Sequence, residues 1–122
     1  MASHPIHVKR VYEPAESGDG CRILVDGIWP RGQRREDVAA DLWLKAVAPS
    51  AGLRRWFGHD PDRWAEFQRR YAEELRDQAE ALDTIRERRR QGPVTLLYSA
   101  RDEQHNQAVA LRRLLDDGDR ER

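Results

Sequence analysis

The sequence predicts an α/β fold, a small sheet of about four strands with flanking helices, and three observations carry that expectation. Two short runs, Cys21–Asp26 and Val94–Tyr98, have apolar residues on both faces, as strands covered on both sides do. Between them the stretch from Asp60 to Arg90 carries apolar residues at helical spacing. Each strand then runs into a polar turn or loop rather than directly into another strand.

In chain order, Ile6-His-Val-Lys-Arg-Val-Tyr12 alternates well enough for a first strand, although Val11 breaks the order. Glu13 to Gly20 is dense in turn formers and reads as a connection. Cys21 to Asp26 is the second strand, and Pro30 and Gly32 end it. Gln33 to Asp41 is charged and opens as a short helical turn. Ala40 to Ala48 fits either a helix, through Val38, Leu42 and Ala46, or a strand with Leu42, Leu44 and Ala46 on one face; we take a short third strand. Pro49 closes it, and Ser50 is placed to cap a helix over Ala51 to Phe57.

Asp60-Pro61 opens the clearest helix, with Trp64, Phe67, Tyr71 and Leu75 along one face. Unbroken to Arg90 it would span roughly 45 Å, too long for this domain. Asp77-Gln-Ala-Glu80 resembles a capping box, so a break is expected there, with a second helix carrying Ala79, Leu82 and Ile85. Gly92-Pro93 stops it, and Val94–Tyr98 is the clearest strand. Asp102 is read as the cap of a last helix packing through Ala108, Leu111, Leu114 and Leu115, before a charged, frayed tail from Asp116 to Arg122.

At 122 residues the chain is expected to form a single domain, 1–122, with its core at about 6–115. The 22 basic and 22 acidic side chains cancel, so no global field draws it to nucleic acid or to a membrane surface. The one cysteine, Cys21, cannot form an internal disulfide, and a cytoplasmic setting is expected. The N-terminus has no signal-peptide pattern, and no run reaches the ~18 apolar residues of a membrane span. Oligomeric state is not legible.

A set of motifs now suggests a family. Lys9-Arg10-Val-Tyr12, Leu24-Val-Asp-Gly-Ile-Trp-Pro-Arg-Gly32, Trp43-Leu-Lys45, Ala48-Pro-Ser50 and Leu53-Arg-Arg-Trp-Phe57 come first. Phe67 through Tyr71 to Glu74-Leu75, Thr95-Leu-Leu-Tyr-Ser99 and His105-Asn106-Gln-Ala108 follow. Together they resemble the YeaO-like family of small bacterial proteins, a domain-of-unknown-function group, over about residues 6 to 115. The resemblance implies a compact α/β domain and no agreed activity. One departure stands out: Gly27 occupies the place where the family pattern carries an arginine after Val-Asp. If that guanidinium helps to hold a ligand, the site here is altered, although Arg31 still matches.

Ligands of open α/β sheets sit outside the carboxyl ends of the strands, so the loops after the second and last strands are where a site is expected. Arg31, Lys45, Lys9 and Arg10 could together hold a phosphate or carboxylate, with Arg31 as a bidentate fork. The competing reading makes Asp26 and an arginine a structural pair that orients the turn. In the second loop Ser99 and Arg101 could add donors to a helix N-terminus, or Ser99 and Asp102 could simply cap it. Asn106 could supply an orienting amide. For proton transfer the candidates are Asp26, Tyr98, Ser99 and His105. A relay of Ser99, His105 and Asp26 has no elbow motif behind it, and Tyr98 more often fills a core.

No His, Cys or acidic spacing indicates a metal, and no cofactor is indicated; a Gly-rich P-loop is absent. The arginine runs at 34–35, 54–55 and 86–90 could contact nucleic acid, but they read more simply as solvated helix surface. Two function classes follow. One is a domain, enzymatic or relict, that takes a small anionic, phosphate- or nucleotide-like ligand at the strand ends. The other is a non-catalytic nucleic-acid- or protein-binding module working through its arginines.

Overall fold

The structure is a computed structural model that describes residues 4–120. Its centre is a four-stranded parallel sheet in the order β1-β4-β2-β3, made of β1 (Ile6–Arg10), β2 (Cys21–Leu24), β3 (Leu42–Trp43) and β4 (Val94–Tyr98). The helices are α1 (Arg35–Val38), α2 (Ala51–Phe57), α3 (Trp64–Leu75), α4 (Ala79–Gln91) and α5 (Gln107–Arg120). The α/β class and the strand number agree with the sequence.

The two central strands are covered on both faces, which is why apolar residues dominate them, with Arg22 and Thr95 the buried polar exceptions. On one face Ile23, Val25, Val94, Leu96 and Tyr98 join Phe67, Tyr71 and Leu75 of α3, Leu82 and Ile85 of α4, and Ala108, Leu111 and Leu115 of α5. The other face is thinner: Leu24, Leu97, Val11 and Val38 lie beneath Trp29, Ala40 and Trp43. On that face Arg22 is buried, and its guanidinium is satisfied by Asp19 at 2.5 Å and by the carbonyls of Val38 (2.7 Å) and Ala39 (3.1 Å).

Several expected boundaries move. The second strand stops at Leu24, and the third shrinks to two residues. Leu44 leaves the extended conformation, and a 3-10 turn, Lys45–Val47, takes the rest of that stretch. The helix after Asp60 begins as a 3-10 turn, Pro61–Arg63, with the Asp60 carboxylate accepting from the Asp62 amide at 3.0 Å. A further 3-10 turn, Arg76–Gln78, divides α3 from α4 near the expected break, but no side chain caps α4 there.

Asp102 does not cap the last helix. Its carboxylate accepts from the amides of Gln104 and His105 in a preceding turn, and α5 is capped by Asn106, whose Oδ1 accepts from the Val109 amide at 3.0 Å. Nor does the tail fray from Asp116, because α5 continues to Arg120. The expectations for residues 1–3 and 121–122 fall outside the described residues.

Candidate functional site

The carboxyl ends of β2 and β4 open into a cleft of about 480 Å³. Its position follows from the sheet order, which sets β2 and β4 side by side and so brings the turn after one against the loop after the other.

Asp26 forms the floor. It follows the buried Val25, whose amide is bonded to the Leu97 carbonyl at 3.1 Å, so its position is fixed by the sheet. Its own carbonyl accepts from the Trp43 indole at 2.7 Å. The carboxylate reaches across to β4 and α5. Its Oδ2 accepts from the Ser99 amide at 3.0 Å and from the Ser99 hydroxyl at 2.6 Å, and its Oδ1 accepts from the Gln107 amide nitrogen. Burial pushes the Asp26 carboxyl above its usual range, opposed by these bonds and by the Arg54 charge.

The turn after Asp26 makes one wall. Trp29 donates its indole N–H to the Gln33 carbonyl at 2.8 Å and packs edge-on against Trp43, with centroids 5.3 Å apart. These contacts present Ile28, Pro30 and Arg31 to the opening. Arg31 is exposed there and forms no hydrogen bond or ion pair with any other described residue. Gly27 also lines the cleft, and a Cβ at that position would lie 3.3 Å from the Ala48 Cβ, so the turn packs closely there.

The opposite wall comes from α2 and α3. Ser50 caps α2 by accepting from the Leu53 amide at 3.1 Å, and that start sets Arg54 and Phe57 on the cleft side. Gly58 and His59 follow with φ of 54° and 57°, a left-handed pair that turns the His59 ring to the rim. Phe57 and Phe67 stack at 4.4 Å between centroids.

The loop from Ser99 to Asn106 closes the cleft. Arg10 secures it from β1, donating to the carbonyls of Ala100 (2.9 Å) and Ser99 (3.2 Å). The His105 imidazole sits edge-on to Trp64 at 5.3 Å, and its Nδ1 lies 2.9 Å from an Asp102 oxygen.

Of the sequence candidates, Asp26, Arg31, Ser99, His105 and Asn106 line this one cleft. Ser99 and Asp26 are directly bonded, whereas no hydrogen bond joins Ser99 to His105 among the described residues. Asp26 is held by Ser99 and Gln107, not by Arg31. Four candidates lie elsewhere. Lys9 points to the thinner face of the sheet, bonded to Glu16 at 2.7 Å and Asp19 at 3.1 Å. Lys45 rests over the Trp43 ring at 4.2 Å. Arg101 is exposed outside the cleft lining. Tyr98 is buried in the core, and burial raises its pKa.

Among the lining residues not singled out from the sequence as ligands are Arg54, His59 and Gln107. Arg54 had a signal, since a residue four places after a Ser N-cap lies one turn into the helix. Gln107 and His59 had none beyond their adjacency to Asn106 and Gly58. Among the described residues no three His, Cys or acidic side chains gather as a metal site. No helix there is long and apolar enough to cross a membrane.

Comparison with known proteins places the chain in a family. The family model described as "Inactive DUF488-N3 subclade" matches residues 5–122. The chain is similar to Uncharacterized protein Rv3073c of Mycobacterium tuberculosis (strain ATCC 25618 / H37Rv), 43% identical over 111 residues, which is 91% of this chain and 93% of that protein. It is likewise similar to Uncharacterized protein YeaO of Escherichia coli (strain K12), 42% identical over 106 residues, 87% of this chain and 92% of that one. No solved structure is a significant match.

Proposed function

The chain belongs to the YeaO-like family, within the group described as the inactive DUF488-N3 subclade, and from that premise we propose that its cleft binds a small anionic ligand without turning it over. The observation that carries this reading is the pair of exposed guanidinium groups, Arg31 and Arg54, on opposite walls of a cleft at the strand ends. Neither side chain is committed to an ion pair with another described residue, while Arg22, Arg69 and Arg90 are. A guanidinium free on a cleft wall is a ready fork for carboxylate or phosphate.

Holding without turnover is supported by the bonding of the polar side chains. The Ser99 hydroxyl donates to Asp26, and no hydrogen bond joins Ser99 to His105 among the described residues, so the serine is not paired with an imidazole base. The family description agrees with this. The arginine-surface alternative draws less support. Arg34 pairs with Asp37, Arg86 with Asp83, Arg89 with Asp116 and Arg90 with Glu87, so much of the charge at 34–35 and 86–90 is offset by neighbouring carboxylates.

A thermal-shift titration with phosphate, benzoate and nucleoside monophosphates tests the proposal. A ligand present at a hundredfold excess over its Kd adds about 2.7 kcal/mol to stability. At least one small anion is expected to raise Tm by several degrees, to lose that effect in Arg31→Ala, and to be recovered chemically unchanged. Shifts that persist in both Arg31→Ala and Arg54→Ala would contradict the assigned rim.

A further inference from the structure

We infer that the ligand is bifunctional: a small ring-bearing molecule that donates a hydrogen bond to Asp26 at the floor and presents its anionic end to Arg31 and Arg54. The inference rests on the anion-binding reading above and specifies the other end of the ligand.

The floor and the rim of the cleft have opposite polarity. An ionised carboxylate offers about four lone-pair positions. Ser99 fills both at Oδ2 with its amide and hydroxyl, and Gln107 fills one at Oδ1. All three partners donate, so Asp26 acts here as an acceptor, and one position at Oδ1 remains for a donor entering from the cleft that Asp26 lines. An anion pushed to that depth would face the negative carboxylate instead, with Ser99 and Gln107 already spent on it. The anion is therefore held outward, at the two guanidinium groups, and the donor goes inward.

The walls of the cleft carry apolar and aromatic residues beside the polar ones. Trp29 and Pro30 on one side face Phe57 and Phe67 on the other. A water occupies roughly 30 Å³ of liquid, so about 480 Å³ is far more than a bare phosphate or carboxylate fills. Aromatic and proline walls favour a flat ring in that interval.

Isothermal titration with three matched probes tests the inference at neutral pH. These are 4-(aminomethyl)benzoate, with donor and anion; 4-methylbenzoate, with the anion alone; and 4-methylbenzylamine, with the donor alone. The bifunctional probe is expected to bind about tenfold or more tighter than 4-methylbenzoate, as a charge-assisted hydrogen bond to a buried carboxylate implies. Asp26→Asn should remove that advantage, bringing the two carboxylates to equal affinity, and Arg31→Ala should weaken both carboxylates. Because the comparison between probes needs only the wild-type chain, it decides the matter even if Asp26→Asn does not fold. Equal affinity of the two carboxylates for the wild-type chain overturns the floor contact and leaves the anion site standing. Binding of the amine alone, or of none of the probes, overturns both.

Discussion

Two buried aspartates show how environment sets opposite behaviour in one residue type. Asp19 is desolvated, which alone would raise its carboxyl pKa, but the Glu16 amide, Lys9 and Arg22 together pull it below the usual range. Its contribution to stability is therefore present above the unfolded value near 3.8 and is lost as pH falls through the lower folded value. Asp26 has the reverse sign. Its folded pKa is raised, so the fold is favoured below the unfolded value, and that share is lost as pH rises through the folded value. Denaturant titrations at several pH values should show Asp19→Asn flattening the acid limb of the stability profile. Asp26→Asn should flatten the limb that falls as pH rises above the unfolded value near 3.8. Asp19→Ala should also cost about 3 kcal/mol, because Arg22 is left buried without its carboxylate. Arg31→Ala, at an exposed position, should change stability by less than about 0.5 kcal/mol.

At the scale of elements, Ser50 joins two helices that form one wall of the cleft. Its hydroxyl caps α2 through the Leu53 amide, and its hydroxyl and amide both donate to the Glu74 carboxylate on α3, at 2.6 and 2.8 Å. Ser50→Ala should cost about 1–2 kcal/mol by chemical denaturation, more than an isolated cap, since it loosens the tie to α3 as well. This cap was legible in the sequence because its signal is local: Pro49-Ser50 precedes an apolar step of helical spacing. Central strands were legible for a similar reason, since burial on both faces leaves a continuous apolar run. What escaped depends on distant partners. Asp102 has the right side chain to cap a helix, yet it closes the turn at Gln104 and His105, and Asn106 does the capping. Leu44 to Val47 alternates like a strand, but β3 is an edge with only β2 beside it, and a 3-10 turn wins. In the site, Asp26 and Ser99 were legible as strand-end residues. Gln107 and His59 reach the cleft only through the packing of α5 and of the turn after α2, which no local pattern encodes.

At the scale of the molecule, the cleft exists because β2 lies against β4, and the crossing of their entry points fixes that placement. Gly20 has a φ of 66°, and a Cβ on it would fall 2.1 Å from the Pro93 carbonyl oxygen, the atom that accepts from the Cys21 amide at 2.9 Å. Gly20→Ala should therefore displace β2 from β4 and markedly lower the unfolding midpoint, and a thermal melt checks this. The most direct test of the central claim, a small anion held at the strand-end cleft, is an amide NMR titration of the assigned protein with 4-methylbenzoate. Binding at the cleft predicts saturable shifts concentrated at residues 26–31, 54–59 and 99–107, reduced in Arg31→Ala. Shifts centred on the arginines of α4, or no saturable shift at millimolar ligand, would contradict it.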